Sequence, residues 1–385
     1  MYSFEYYNPT HISFGEGKIA ELDNLVPQDA KVLVLFGGNS AKSTGTLDEV
    51  KTALKQRPVV EFGGIEANPT YETLMQAVDV IKQQDIDFLL AVGGGSVIDG
   101  TKFVAAAALF EGEPWDILLS WGAKVTQAMP FGSVLTLPAT GSEMNSGSVI
   151  TRKEFKAKLA FMSDHVFPKF SVLDPSKTFT LPERQVANGV VDAFVHITEQ
   201  YLTFPVNAPV QDRFAEGLLQ TLVELGPKAL SEPQDFDVRA NLMWVATMAL
   251  NGLIGKGVPH DWATHMIGHE ITALYDVDHA RTLAMILPGL LDVRRQGKKD
   301  KLVQYASRVW GITQGSEDEI IDQVIEKTRQ FFEQMGIQTR LSDYGLDNSS
   351  IDTILAQLEA HGMTALGENQ DVDLAMSRKI LERNL

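Results

Sequence analysis

Short runs of β-branched and other apolar residues alternate with helical patterns through the first half of the chain. That is the order expected of a parallel sheet covered by helices. Residues 31–36 read as a buried strand ended by Gly37-Gly38-Asn39-Ser40, and residues 58–62 as a second, closed by Gly63-Gly64. From Thr70 the apolar positions Leu74, Val78 and Ile81 keep helical spacing, and residues 87–92 then form a third strand. That strand runs into Gly93-Gly94-Gly95-Ser96, beyond which residues 97–109 are alanine-rich and helical. After about residue 180 long amphipathic or wholly apolar stretches dominate and strand signals nearly vanish. Thr180-Leu181-Pro182-Glu183 opens this half with a Thr-x-x-Glu capping box and an early proline. The pattern predicts an α/β domain with a parallel sheet over residues 1–180 and an all-α domain over 181–385.

Composition narrows the class. With 44% apolar and 22% charged residues, the 385-residue chain has the balance of a packed globular protein. The formal charge of −17 repels phosphate backbones. The densest basic run, Arg294-Arg295-Gln296-Gly297-Lys298-Lys299, is short and followed by Asp300, so no nucleic-acid partner is expected. The absence of cysteine excludes disulfides, iron–sulfur clusters and thiolate-bound zinc, and fits a reducing compartment. Residues 1–9 have neither a basic nor an apolar leader pattern, and no stretch approaches the 18 or so apolar residues of a membrane span. A soluble, cytoplasmic protein is the expectation.

Two groups of residues carry candidate chemistry. Glycines where a strand meets a helix amino terminus let a phosphate approach partly charged backbone amides, and Gly93-Gly94-Gly95-Ser96 is such a place. It is neither a G-x-G-x-x-G fingerprint, because Ile98 stands where glycine is required, nor a P-loop, because Thr101 precedes Lys102. The second group lies in the helical half, where His196, His260, His265, His269 and His279 cluster. Asp192 and His196 share a helical face inside an apolar stretch, as do His265 and His269. An ionised carboxylate there costs several kcal/mol unless a cation compensates it. An Asp–His hydrogen bond in the core is one reading. A nitrogen-rich site for iron(II) or zinc, with three of the histidines, is the other, and spacing does not choose the three.

The chain also resembles the iron-containing alcohol dehydrogenase family, in its butanol-dehydrogenase-like, NADPH-dependent aldehyde reductase branch. The resemblance is carried by Gly93 to Ser96 with Asp99, Thr136 to Asn145, Asp192-x3-His196, Asp261 to Glu270, His279-Ala280 and Leu366 to Asp371. It implies a Rossmann-like dinucleotide-binding domain, a helical metal-binding domain and a metal held in the cleft between them. Matched residue by residue, it implies a divalent metal, Fe2+ or Zn2+, on Asp192, His196, His265 and His279. His269 falls outside that ligand set and is the candidate catalytic proton relay. Cofactor contacts for NADP(H) carry over to Gly94, Gly95, Ser96, Asn68, Asp99, Thr136, Thr140, Asn145 and Lys158. Gly38, flanked by Gly37, Asn39 and Ser40, stands where NAD-preferring members carry an aspartate, which implies a preference for NADPH. The expected reaction is hydride transfer between NADP(H) and a small primary alcohol or aldehyde, in a homodimer paired through the aromatic segment Tyr2 to Tyr7. A metal-dependent lyase acting on a phosphorylated sugar is the competing reading. It would require several cations near the histidines, of which Lys256 and Arg281 are the nearest in sequence.

Overall fold

Six strands form one parallel sheet: β1 (His11–Phe14), β2 (Val32–Phe36), β3 (Val59–Phe62), β4 (Phe88–Gly94), β5 (Phe131–Leu137) and, after an antiparallel hairpin of β6 (Gly147–Arg152) and β7 (Ala157–Met162), β8 (Phe170–Leu173). The strand order is β1-β8-β5-β4-β2-β3 in this computed structural model, which describes all 385 residues. The strands read as continuous apolar runs because both faces are buried. Leu33, Leu35, Leu89 and Ala91 point to one face, where they meet Leu74, Val78 and Phe103. Val32, Val34, Leu90 and Val92 alternate to the other face, against Leu22, Leu47 and Val50. Helices α1 (Thr46–Leu54), α2 (Tyr71–Gln84) and α3 (Gly95–Ala107) supply much of that cover. Periodicity anticipated β2, β3, β4, α2 and α3. It did not anticipate β1, β8 or the hairpin.

The connections reverse direction at one place in the sheet. β2 leads to β3 on one side, whereas its other neighbour, β4, leads to β5 on the opposite side. The carboxyl ends of β2 and β4 therefore border a topological switch point, the usual place for a ligand in open α/β sheets.

The helical residues after 180 include α4 (Glu183–Tyr201), α5 (Pro209–Ser231), α6 (Phe236–Ala249), α7 (Ala263–Tyr275), α8 (His279–Val293), α9 (Lys299–Trp310), α10 (Glu317–Gln334), α11 (Asn348–Ala360) and α12 (Leu374–Arg383). α8 is central and packs on α4, α7, α10 and α12. No helix is long and apolar enough to cross a membrane. The expected capping box at Thr180 does not form. Pro182 occupies the N-cap of α4 without a side-chain cap, because residues 175–178 make their own turn and Leu181 N–H closes it onto Thr178 O.

Two compact units result, one of residues 7–181 with 234–247 and one of residues 1–6, 182–233 and 248–385. The exchange of 234–247 departs from a single cut near 180. It has a packing cause: Trp244 meets Phe14 edge-on at 6.0 Å, Met243 joins the core on one face of the sheet, and Thr247 Oγ1 donates to Glu143 Oε1 at 2.5 Å. Residues 1–10 form no strand in this chain, and the ladder begins at His11. Tyr2 N–H instead bonds Gly257 O at 2.9 Å. The basic run is fully engaged by carboxylates: Arg294 with Asp371, Arg295 with Asp292 and Asp322, Lys298 with Asp261 and Glu368, and Lys299 with Glu317.

Candidate active site

Three helices of the second unit bring four ligand candidates together. α4 places Asp192 and His196 one turn apart, α7 places His265 and His269 one turn apart, and α8 begins with His279. Asp192 Oδ1 lies 3.7 Å from His196 Nδ1, 4.0 Å from His265 Nε2 and 3.7 Å from His279 Nε2. The atoms of Asp192, His265 and His279 all fall within 4.8 Å of one another. The His196 and His265 rings stack with centroids 4.6 Å apart. His269 borders the group, its ring 5.0 Å from that of His279 and 6.2 Å from that of His265. His260 stands apart, with Nε2 on Gly255 O at 2.7 Å and Nδ1 accepting from Trp262 Nε1 at 3.2 Å.

Asp192 Oδ1 is buried and accepts no hydrogen bond, which bears on the two readings that the spacing left open. A core Asp–His hydrogen bond is excluded at 3.7 Å. A buried carboxylate oxygen facing three imidazole nitrogens at such separations suits a cation among them, and the donor set of one oxygen and three nitrogens fits iron(II) or zinc.

The surrounding carboxylates were not anticipated. Glu199 continues the acidic and imidazole face of α4 three residues after His196, a helical spacing that was visible in the sequence. Its Oε2 contacts His265 Nδ1 and its Oε1 accepts the Thr264 N–H at 2.7 Å. Burial, and then the neighbouring charge of Asp261, push the Glu199 carboxyl well above the usual range, and a cation in the site acts in the opposite direction. Behind α7, Lys298 Nζ lies 2.8 Å from both Asp261 Oδ2 and Glu368 Oε1, and Asp261 Oδ1 accepts the Ala263 N–H at 3.1 Å. This explains the segment around Glu368: it closes a buried ion triad beside the helix that carries His265.

The nucleotide candidates lie in the first unit. Gly94 ends β4 and Gly95 opens the 13-residue α3, so the backbone amides of its first turn face the switch point. A Cβ on Gly95 would stand 2.2 Å from Thr140 Oγ1, so only glycine fits beside that threonine. Ser96 is half-buried on the same turn, and Thr136 is half-buried near the end of β5, the neighbour of β4. Lys158 Nζ donates to Asn68 Oδ1 at 3.1 Å, bringing two candidates together from residues 90 apart. Gly37, Gly38, Asn39 and Ser40 follow β2 at the switch point, with Gly38, Asn39 and Ser40 exposed. Asp99 and Asn145 are engaged by the protein itself. Asp99 accepts from Ser142 Oγ at 2.5 Å and Val149 N at 2.9 Å, and burial pushes its carboxyl up. Asn145 Oδ1 accepts from Lys102 Nζ at 2.8 Å and Gly147 N at 3.0 Å.

The first unit thus carries a nucleotide-type switch point, and the second a group of Asp192, His265 and His279 that could hold a metal ion, with His196 beside it. The family models for iron-containing alcohol dehydrogenase and for its C-terminal domain match residues 9–175 and 186–382. The chain belongs to the iron-containing alcohol dehydrogenase family. It is 61% identical over 384 residues to the NADPH-dependent aldehyde reductase YqhD of Escherichia coli, covering 99% of each chain. It is 42% identical over 367 residues to a probable NADH-dependent butanol dehydrogenase of Bacillus subtilis, covering 94% of this chain and 95% of that protein. The crystal structure of E. coli YqhD superposes with a TM-score of 0.99 at 60% identity, over 100% of this chain and 99% of that one.

Proposed function

We propose that this enzyme is an NADPH-dependent aldehyde reductase that interconverts small aldehydes and primary alcohols with the help of one Fe2+ or Zn2+ ion. The observation that carries the reading is the buried Asp192 oxygen facing three imidazole nitrogens, in a chain that matches an NADPH-dependent aldehyde reductase along its whole length. The reduced nicotinamide supplies the hydride and the metal supplies electrophilic assistance at the carbonyl oxygen. Asp192, His196, His265 and His279 hold the ion in this proposal. His269 hands a proton to the oxygen of the reduced product, as the one imidazole beside the cluster that is not needed as a ligand.

On the nucleotide side, the amides of Gly94, Gly95 and Ser96 receive the pyrophosphate, and Thr136, Thr140, Asn68 and Lys158 line its path. Asp99 and Asn145 shape the adjoining loops. The exposed turn Gly37-Gly38-Asn39-Ser40, with Lys42 beyond it, takes the 2′-phosphate. In this division of labour residues 1–180 serve the nucleotide and residues 181–385 the metal. A phosphosugar lyase is disfavoured because the chain matches an NADPH-dependent aldehyde reductase along its whole length. A cytoplasmic homodimer completes the proposal. It is supported by the exposed Tyr2, Phe4, Tyr6 and Tyr7 and by the outer edge of β1, which pairs only with β8.

The test is metal analysis together with NADPH consumption over a panel of aldehydes. Wild type is expected to carry about one ion per chain, and folded Asp192→Ala and His265→Ala to lose most of both metal and turnover. Full metal occupancy in both variants would overturn the assignment. A monomer mass by light scattering at micromolar concentration would remove the dimer from the proposal.

A further inference from the structure

Glu199 touches the first turn of α7 and the residue just ahead of its N-cap through three atoms. Its main-chain oxygen accepts the Asp261 N–H at 2.9 Å, its Oε1 accepts the Thr264 N–H at 2.7 Å, and its Oε2 meets His265 Nδ1. It is 2% exposed, so water does not compete for either carboxylate oxygen. The Thr264 contact satisfies one of the donors that a helix amino terminus leaves open, and it fixes the carboxylate plane relative to α7. Nδ1 of His265 therefore faces a carboxyl oxygen held in place, while Nε2 points towards Asp192 Oδ1 at 4.0 Å.

A neutral imidazole has one N–H. Opposite a carboxylate oxygen that proton belongs on Nδ1, which leaves the lone pair on Nε2, the nitrogen that faces the cluster. We infer that Glu199 is a positioning residue that sets the tautomer and ring plane of His265 for metal binding. The inference rests on the proposed metal reading of Asp192, His196, His265 and His279. Carboxylates behind a ligating histidine typically account for a 10- to 100-fold difference in metal affinity.

Glu199→Gln is the discriminating substitution because its shape is unchanged. To keep the Thr264 N–H bonded, the amide must turn its oxygen to Oε1's place, which aims the NH2 at His265 Nδ1. The imidazole must then accept at Nδ1 and carry its proton on Nε2, the wrong atom for a ligand. The full-length protein is stripped of metal and titrated with zinc against a competing chelator, and thermal unfolding is recorded with and without zinc. Glu199→Gln is expected to raise the zinc dissociation constant roughly 10- to 100-fold while the metal-free melting temperature stays near wild type. The stabilisation conferred by zinc should shrink.

Unchanged zinc affinity in Glu199→Gln, with wild type binding normally, overturns the inference and leaves the metal reading intact. A lowered metal-free melting temperature with undiminished zinc stabilisation shows a merely structural residue and also overturns it. If wild type itself binds no zinc or iron, both readings fail together.

Discussion

Replacing Lys298 by Met removes a buried cation and keeps most of its volume. Lys298 Nζ donates to Leu202 O at 2.7 Å and lies 2.8 Å from Asp261 Oδ2 and Glu368 Oε1. The Lys298 side chain is 0% exposed, and its two partners are 3% and 1% exposed. The substitution leaves two carboxylates and a carbonyl without their shared donor in a region that water does not reach. Breaking a buried pair costs about 3–5 kcal/mol. With two acids losing one base, Lys298→Met belongs at the upper end, near 5 kcal/mol. At roughly 2–4 °C per kcal/mol, the melting temperature should fall by roughly 10–20 °C. Urea unfolding followed by circular dichroism at pH 7.5 measures the loss, and the double variant Lys298→Met/Glu368→Gln provides an internal check. Removing one orphaned charge should restore about 1–3 kcal/mol. A single variant within about 1 kcal/mol of wild type would place the triad among weak surface-like pairs and refute the reasoning.

Gly38→Asp should lower kcat/KM for NADPH relative to NADH through repulsion of the 2′-phosphate, and leave the fold unchanged, because a Cβ at Gly38 has no neighbour within 4 Å. Steady-state kinetics with both cofactors decide it, and an unchanged preference means that the 2′-phosphate binds elsewhere. Burial holds the His260 imidazole below its usual value, against the raising effect of its hydrogen bond to Gly255 O. Below about pH 6.5 the unfolded chain then binds more protons than the folded one, so stability falls as the pH drops through this interval. His260→Gln should flatten that fall between pH 7.5 and 5.5 in urea midpoints. An equal loss in both proteins would contradict it.

Local signals carried the α/β half a long way. The apolar runs of β2 and β4 and the glycines after them declare themselves because a strand buried on both faces needs unbroken apolar residues, and a close approach to backbone amides needs glycine. The strands β1 and β8 escaped notice because His11, Ser13 and Ser171 break their short apolar runs, whereas the equally short β3 is bracketed by Pro58 and Gly63-Gly64. The hairpin β6–β7 was hidden because Ser148, Thr151, Arg152 and Lys158 interrupt its apolar residues, and its register is held by pairing across the turn.

In the helical half, periodicity alone places Asp192 and His196 one turn apart on α4, and His265 and His269 one turn apart on α7, since helical spacing is a local property. It could not determine which nitrogens converge. His265 Nε2 and His279 Nε2 reach Asp192 Oδ1 because α4, α7 and α8 pack together, and that packing depends on apolar faces spread over more than a hundred residues. Lys298 shows the same division from the other side. In the sequence it is one of several neighbouring cations beside water-seeking residues, and only the tertiary fold buries it between Asp261 and Glu368. Charge is a property of the residue, but the cost of burying it and the partner that offsets that cost are set by what the rest of the chain brings within 3 Å, as Lys298 with its two carboxylates at 2.8 Å shows.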